Sequence, residues 1–149
     1  MGRRGRRFES VHPDLFLQAL QSDQTVSSPF LSLIIPAHNE ALRLPASLAA
    51  VRNAISAFPF ETEVIVVENN SSDATAEITR EWMKSIPQLR LISLAQPGKG
   101  NAIRTGMLAA QGAWRFMADA DFSMPVAEIG KFLPNGLPLA PVGIASREA

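Results

Sequence analysis

Short aliphatic and aromatic runs alternate with longer helical patterns from Leu31 onward, and this alternation most narrows what the chain can fold into. Leu31 to Ile35, Glu63 to Val67, Leu89 to Leu94 and Ala113 to Ala118 read as strands, each a brief apolar run bounded by polar or turn residues. Between them, Glu40 to Phe58, Asp73 to Ile86 and Lys99 to Gln111 read as helices. Val126 to Phe132 reads as a short helix and Pro141 to Ala145 as a candidate fifth strand. The punctuation agrees: Ser71-Ser72-Asp73 supplies N-cap candidates, Pro59 and Pro87 close the first two helices, and Pro97-Gly98 turns into the third. Strands alternating with helices of this length imply an α/β fold with a mostly parallel sheet covered on both faces. Right-handed crossovers then gather the strand C-terminal ends along one edge.

Composition permits one such unit and little else. The chain has 149 residues, 46% of them hydrophobic, enough for a single ordinary core. It has no cysteine, which excludes disulfides and thiolate metal sites and allows a cytoplasmic setting. His12 and His38 alone cannot build a zinc site. Formal net charge is zero, yet Arg3, Arg4, Arg6 and Arg7 crowd the first seven residues, so the charge is polarised along the chain. Residues 1 to 28 read as a basic arm and linker, and 29 to 149 as the globular part. Such an arm is a disordered leader or a peripheral contact for anionic lipid, at about 1 kcal/mol per arginine near the surface. No stretch approaches the roughly 20 apolar residues of a membrane span, and no feature of the sequence points to nucleic acid.

Three polar clusters fall on the shared edge. The first strand runs into Pro36-Ala37-His38-Asn39-Glu40, the second into Glu68-Asn69-Asn70-Ser71-Ser72-Asp73, and the fourth into Asp119-Ala120-Asp121. Carboxylates one residue apart at a strand end suit a hard cation, Mg²⁺ or Mn²⁺, bound to a diphosphate. Two solvated aspartates are the bland alternative. Glu40 equally reads as an acid in the first helical turn, and Asp73 as a cap. Gln96-Pro97-Gly98-Lys99-Gly100-Asn101 opens the third helix with two glycines around a lysine, so that backbone and ammonium can approach an anion; a capping turn explains the same residues. The Walker pattern would need glycine where Ser93 stands and Ser or Thr where Gly100 stands. A dinucleotide fingerprint would need a third glycine where Ile103 stands. Arg104 either lines the same face as Lys99 or is solvated.

Taken in order, Leu33 to Glu40, Val64 to Thr75, Gly98-Lys99-Gly100 with Ala102-Ile103-Arg104, and Met117 to Asp121 resemble the motifs of family 2 glycosyltransferases with the Rossmann-like GT-A fold. The likeness is to the polyprenyl-phosphate branch, the dolichyl-phosphate glucosyl- and mannosyltransferases. Gly-Lys-Gly followed by Ala102 to Gly106, and Ala-Asp-Ala-Asp-Phe-Ser before Pro125, lean toward the glucosyltransferases; Gly143 to Arg147 is similar to the family's fifth strand. The resemblance implies that Pro36, His38, Glu40, Val67 and Asn69 contact the donor nucleotide. It implies that Ala118, Asp119, Ala120 and Asp121 hold donor diphosphate and metal, with Asp119 and Asp121 as ligands and Asp121 as a catalytic group, and that Lys99 stands near the donor. Two departures bear on the base: His38 stands where tyrosine is common, and Glu68-Asn69-Asn70 where Asp-Asp-Gly is common.

The activity implied is an inverting, metal-dependent transfer of a hexose from a nucleoside diphosphate sugar, UDP-glucose first and GDP-mannose second, to a polyprenyl phosphate. The expected setting is cytoplasmic, and the basic arm is consistent with peripheral contact at the cytoplasmic face of a membrane. Because the resembled enzymes continue for about another hundred residues, the expectation is the donor-binding part of a GT-A domain, truncated at its C-terminus. A nucleotide-sugar-binding or interaction module without catalysis is the alternative. A nucleotidyltransferase is a more distant one, since such enzymes carry a Gly-rich basic loop after the first strand, and Pro36 to Glu40 is not one. Oligomeric state is left open.

Overall fold

The computed structural model describes residues 28–133. The basic arm, most of the linker and the candidate strand from Pro141 to Ala145 lie outside them. Four strands, β1 (Leu31–Ala37), β2 (Thr62–Asn69), β3 (Leu89–Leu94) and β4 (Trp114–Met117), form one sheet in the order β3-β2-β1-β4. Every ladder is parallel. Helices α1 (Leu44–Ala57), α2 (Thr75–Trp82) and α3 (Lys99–Ala109) connect successive strands, and a 3-10 helix spans Val126–Phe132.

Both central strands are buried along their whole length, which is why they read as unbroken apolar runs. Their side chains alternate between two cores. Leu31, Leu33, Ile35, Val64 and Val66 pack with Leu44, Leu48 and Val51 of α1, Ile78 and Trp82 of α2, and Val126 and Ile129 of the 3-10 helix. Ile34, Ile65 and Val67 face the other way, onto Ala102, Met107 and Ala110 in and after α3. Each fully buried Leu, Ile or Val contributes about 1.5–3 kcal/mol. On the α3 face the approach is close: a Cβ at Gly106 would lie 2.4 Å from Ile34 Cγ2 and 3.0 Å from Val67 Cγ2.

The elements fall where the apolar runs place them, but their ends differ. β1 continues through Pro36 to Ala37 and β2 through Glu68 to Asn69, because the ladder between them persists as Pro36↔Val67 and Ala37↔Glu68. Helix α1 begins at Leu44, so Glu40 precedes it and its first turn holds no acid. Proline in a central strand is unusual, and here it has a consequence. The Ala118 N–H bonds the Ile34 carbonyl at 3.0 Å, and the next rung toward β4 would need an N–H at position 36. Pro36 has none. The β1–β4 register accordingly stops at Ile34↔Met117, and the chain beyond Met117 leaves β1 at the point where strand order reverses. In open α/β sheets that switch point is where ligands bind.

At the opposite edge the sheet is closed by one buried carboxylate. Glu63 Oε1 accepts the Ser32 hydroxyl at 2.6 Å and the Gln111 and Gly112 N–H groups, while Oε2 pairs with Arg90 Nη2 at 3.2 Å. Arg90 Nη2 also donates to the Ala109 carbonyl at 2.9 Å. This set of bonds ties the end of α3 to β1, β2 and β3. Gly112 is required there: a Cβ would meet Ser32 Oγ at 2.5 Å and the Ser32 backbone nitrogen at 2.7 Å.

Candidate functional site

Pro36, Ala37, His38, Glu40, Asn69, Lys99, Asp119, Ala120 and Asp121 line one open cleft of about 270 Å³ at the C-terminal edge of the sheet. Three loops and the first residue of α3 thus converge at the switch point. The loops after β1 and β2 are laced together. His38 Nδ1 donates to the Asn69 carbonyl at 2.7 Å, the Ser72 N–H to Asn39 Oδ1 at 2.8 Å, and the Asn39 N–H to Ser71 Oγ at 3.1 Å. The Glu40 N–H donates to Thr75 Oγ1 at 2.9 Å and the Ala41 N–H to Asp73 Oδ2 at 3.0 Å. Asn39 and Asn70 take the left-handed conformation at φ 53° and 52°, which asparagine tolerates better than most residues.

Asp73 is not the cap its position suggests, since the N-cap of α2 is Ala74, which makes no side-chain capping bond. Asp73 stands one residue earlier and accepts Thr75 N–H on one oxygen and Ala41 N–H on the other, joining both loops. Slight burial pushes its carboxyl up, but the hydrogen bonds from Thr75 and Ala41 outweigh that and hold it below the usual 3.8. Glu40 points to Arg43, at 3.2 Å.

Across the cleft, the loop after β4 is fixed at its middle residue. Ser47, buried on α1, donates to the Ala120 carbonyl at 2.5 Å, and Ala120 is itself buried. Asp119 and Asp121 on either side are exposed. Asp121 accepts the Ser123 N–H at 3.1 Å and hydroxyl at 2.9 Å, and Phe122 turns the chain at φ 43°. Lys99 Nζ lies 2.7 Å from Asp119 Oδ1. The hydrogen bond and charge of Asp119, aided by Asp121, hold the ammonium above its usual 10.5.

Asn69 differs from its neighbours. It is 6% exposed, and among the described residues its Oδ1 has no hydrogen-bond partner. A buried acceptor left without a donor costs about 1–3 kcal/mol, so its place on the cleft wall suits a ligand that brings one.

With this geometry in hand, comparison with known proteins is decisive for the family. Residues 32–135 match the model for glycosyl transferase family 2, which is well over half of the chain. The chain belongs to glycosyl transferase family 2. A dolichyl-phosphate beta-glucosyltransferase of Dictyostelium discoideum is 31% identical over 114 residues, covering 71% of this chain and 35% of the relative. The Homo sapiens dolichyl-phosphate beta-glucosyltransferase is 32% identical over 136 residues, covering 82% of this chain and 42% of the relative. The chain therefore spans well under half the length of these relatives. Among solved structures, S. aureus TarS 1-349 in complex with UDP-GlcNAc superposes with a TM-score of 0.56 at 26% identity, covering 61% of this chain and 26% of TarS. The fold is that of GT-A glycosyltransferases.

In this family 2 glycosyltransferase chain, most of the residues marked by sequence meet in the cleft, and three do not. Val67 is fully buried beneath α3, and Ala118, just after β4, is outside the lining. Arg104 is exposed and stands outside the cleft. Ser47 and Thr75 were not legible as site residues: a serine on an apolar helix face and a threonine in a first helical turn have ordinary structural readings.

The donor set of Asp119 and Asp121 fits a hard divalent cation in charge and chemistry. Among the described residues no third His, Cys, Asp or Glu joins them in a cluster, and water and substrate oxygens are suitable further ligands. Mg²⁺ commonly keeps such ligands. Among the described residues, no helix is long and apolar enough to cross a membrane.

Proposed function

We propose that this chain forms the nucleotide-sugar side of a glycosyltransferase that moves a hexose from a nucleoside diphosphate to a dolichyl-type polyprenyl phosphate. The observation that carries the reading is the cleft itself, where an unpartnered buried amide oxygen, a lysine at a helix N-terminus and two exposed carboxylates converge at the switch point. These are the groups a base, a diphosphate and a divalent cation require. The named activity of the dolichyl-phosphate relatives supports the acceptor class, and the UDP-GlcNAc bound to TarS supports a uridine donor.

Each residue then has a chemical task. Asn69 Oδ1 accepts a ring N–H of the base, a group that uracil and guanine both offer, and UDP-glucose is preferred over GDP-mannose. His38, tied to the Asn69 carbonyl, and Pro36 set the shape of the base-side wall. Glu40 borders it. Lys99 and the free N–H groups of the first turn of α3, which carries no acid, face the diphosphate. Asp119 and Asp121 would hold Mg²⁺ or Mn²⁺, with Ser47 fixing the backbone between them. A cation bound there supplies Lewis-acid neutralisation of the charge growing on the departing diphosphate.

The reaction is one displacement: an acceptor phosphate oxygen bonds the anomeric carbon, the bond from that carbon to the diphosphate breaks, and configuration inverts. No enzyme nucleophile is needed. An acceptor phosphate already ionised at neutral pH makes little demand on a general base. A lipid acceptor would bring the work to a membrane surface, at its cytoplasmic face.

The test is calorimetric titration of UDP-glucose and GDP-mannose into the chain and its Asn69→Leu variant with Mn²⁺ present. Tighter binding of UDP-glucose, weakened at least tenfold by Asn69→Leu, supports the reading. Equal binding of both donors by the two proteins contradicts it.

A further inference from the structure

The ion pair between Lys99 and Asp119 joins the ammonium to the very carboxylate proposed for the cation, and its surroundings do not suit a stabilising bridge. Both side chains are more than half exposed, at 65% and 53%. Exposed pairs contribute at most about 1 kcal/mol. Lys99 is also the first residue of α3, where the positive end of the helix dipole disfavours an ammonium, and no acid in that turn offsets it. A lysine there gains from an anion in front of the helix. In the donor-free chain the anion that bonds it is Asp119, at 2.7 Å, with Asp121 acting through its charge.

Gly98, at φ 149°, turns the chain into the helix without a side chain, and the Lys99 side chain beyond it stands largely in solvent. Asp121 differs from Asp119, since its carboxylate is held by Ser123 of its own loop. Asp121 is thus bonded within its own loop, and Asp119 pairs with a lysine from another element.

We propose that Lys99 is a resident counter-cation that competes with the divalent cation for Asp119. The inference rests on the donor-site reading above. Lys99 neutralises Asp119 while the cleft is empty, and it yields that carboxylate when a diphosphate offers the ammonium another anion. Cation and nucleotide therefore bind together more tightly than either binds alone, and the coupling runs through Lys99.

The experiment is a nucleotide-free Mn²⁺ titration, with free Mn²⁺ followed by electron paramagnetic resonance, on the chain and on Lys99→Met, Lys99→Arg and Asp119→Ala. Circular dichroism confirms that each is folded. Lys99→Met is expected to tighten Mn²⁺ binding about three- to tenfold, the range an exposed pair and one removed like charge allow. Lys99→Arg keeps the pairing and binds Mn²⁺ like the parent; Asp119→Ala binds it more weakly than both. Repeating the titration with UDP should tighten Mn²⁺ binding in the parent by a larger factor than in Lys99→Met. Unchanged or weaker Mn²⁺ binding by Lys99→Met, or no Mn²⁺ binding by any of the proteins, overturns the proposal. Failure of UDP to bind, with Mn²⁺ still tightened in Lys99→Met, overturns the donor-site reading and upholds the competition at Asp119.

Discussion

Glu63 and Asp119 are carboxylates at opposite ends of one parallel sheet, and the chain treats them in opposite ways. Glu63 is 8% exposed and surrounded by donors fixed in the backbone and in Ser32, with Arg90 alongside. Asp119 is half exposed and paired with one flexible lysine. A buried charge is tolerated only when its oxygens are fully bonded, and then removing it is severe. An exposed carboxylate adds little to folding and stays free to change partners. The comparison separates a carboxylate committed to the fold from one left available to a ligand, although both stand beside a sheet and both contact a cation.

The comparison is sharpened first by Glu63→Ala, which strands the Gln111 and Gly112 N–H groups and the Arg90 charge. We expect a loss of about 3–5 kcal/mol in urea unfolding; a loss under about 1 kcal/mol would place Glu63 in the same class as Asp119. Gly112→Ala comes next, at about 1–3 kcal/mol by the same measurement, because its Cβ meets backbone as well as Ser32 Oγ. Ser47→Ala removes the donor to the Ala120 carbonyl at the cost of about 1 kcal/mol. At the binding end it should weaken Mn²⁺-dependent UDP binding severalfold in calorimetry, and unchanged affinity would show that Asp119 and Asp121 need no such support.

Asp73→Ala is the smallest effect on folding, about 1 kcal/mol at neutral pH for the lost hydrogen bonds from Thr75 and Ala41. Its sign with pH follows from linkage: hydrogen bonds hold the folded-state carboxyl below 3.8, so its contribution is full above that value. It is lost as pH falls below 3.8 through the folded-state value. Urea midpoints of the parent and Asp73→Ala should therefore converge toward acid, and a constant gap across the range would show that the carboxylate charge is not what matters.

Much of this was legible in the sequence, for identifiable reasons. Strand positions follow from aliphatic runs so buried that few polar residues interrupt them, and β3 and the 3-10 segment fall at Leu89–Leu94 and Val126–Phe132 as read. The cleft residues were found because strand ends in a right-handed α/β sheet share one edge, so Asn69, Lys99 and Asp119 could be grouped without knowing a distance. What sequence did not give is what depends on three-dimensional pairing. The extension of β1 and β2 into polar residues comes from a ladder that outlasts the apolar pattern, and the role of Pro36 from a missing rung toward β4. Ser47 reaches Ala120 across 73 positions of chain, and the Lys99–Asp119 contact joins residues with no shared periodicity. Val67 carried a family likeness to a donor contact, yet its place in the strand turns it into the α3 core.

The most direct measurement of the central claim is calorimetric titration of UDP-glucose into the chain and into Asp119→Ala, each with and without Mn²⁺, beside thermal melts of both. The account predicts binding that requires Mn²⁺ in the parent and disappears in Asp119→Ala, with stability changed by no more than about 0.5 kcal/mol. Equal binding with and without Mn²⁺, or full binding by Asp119→Ala, would contradict it.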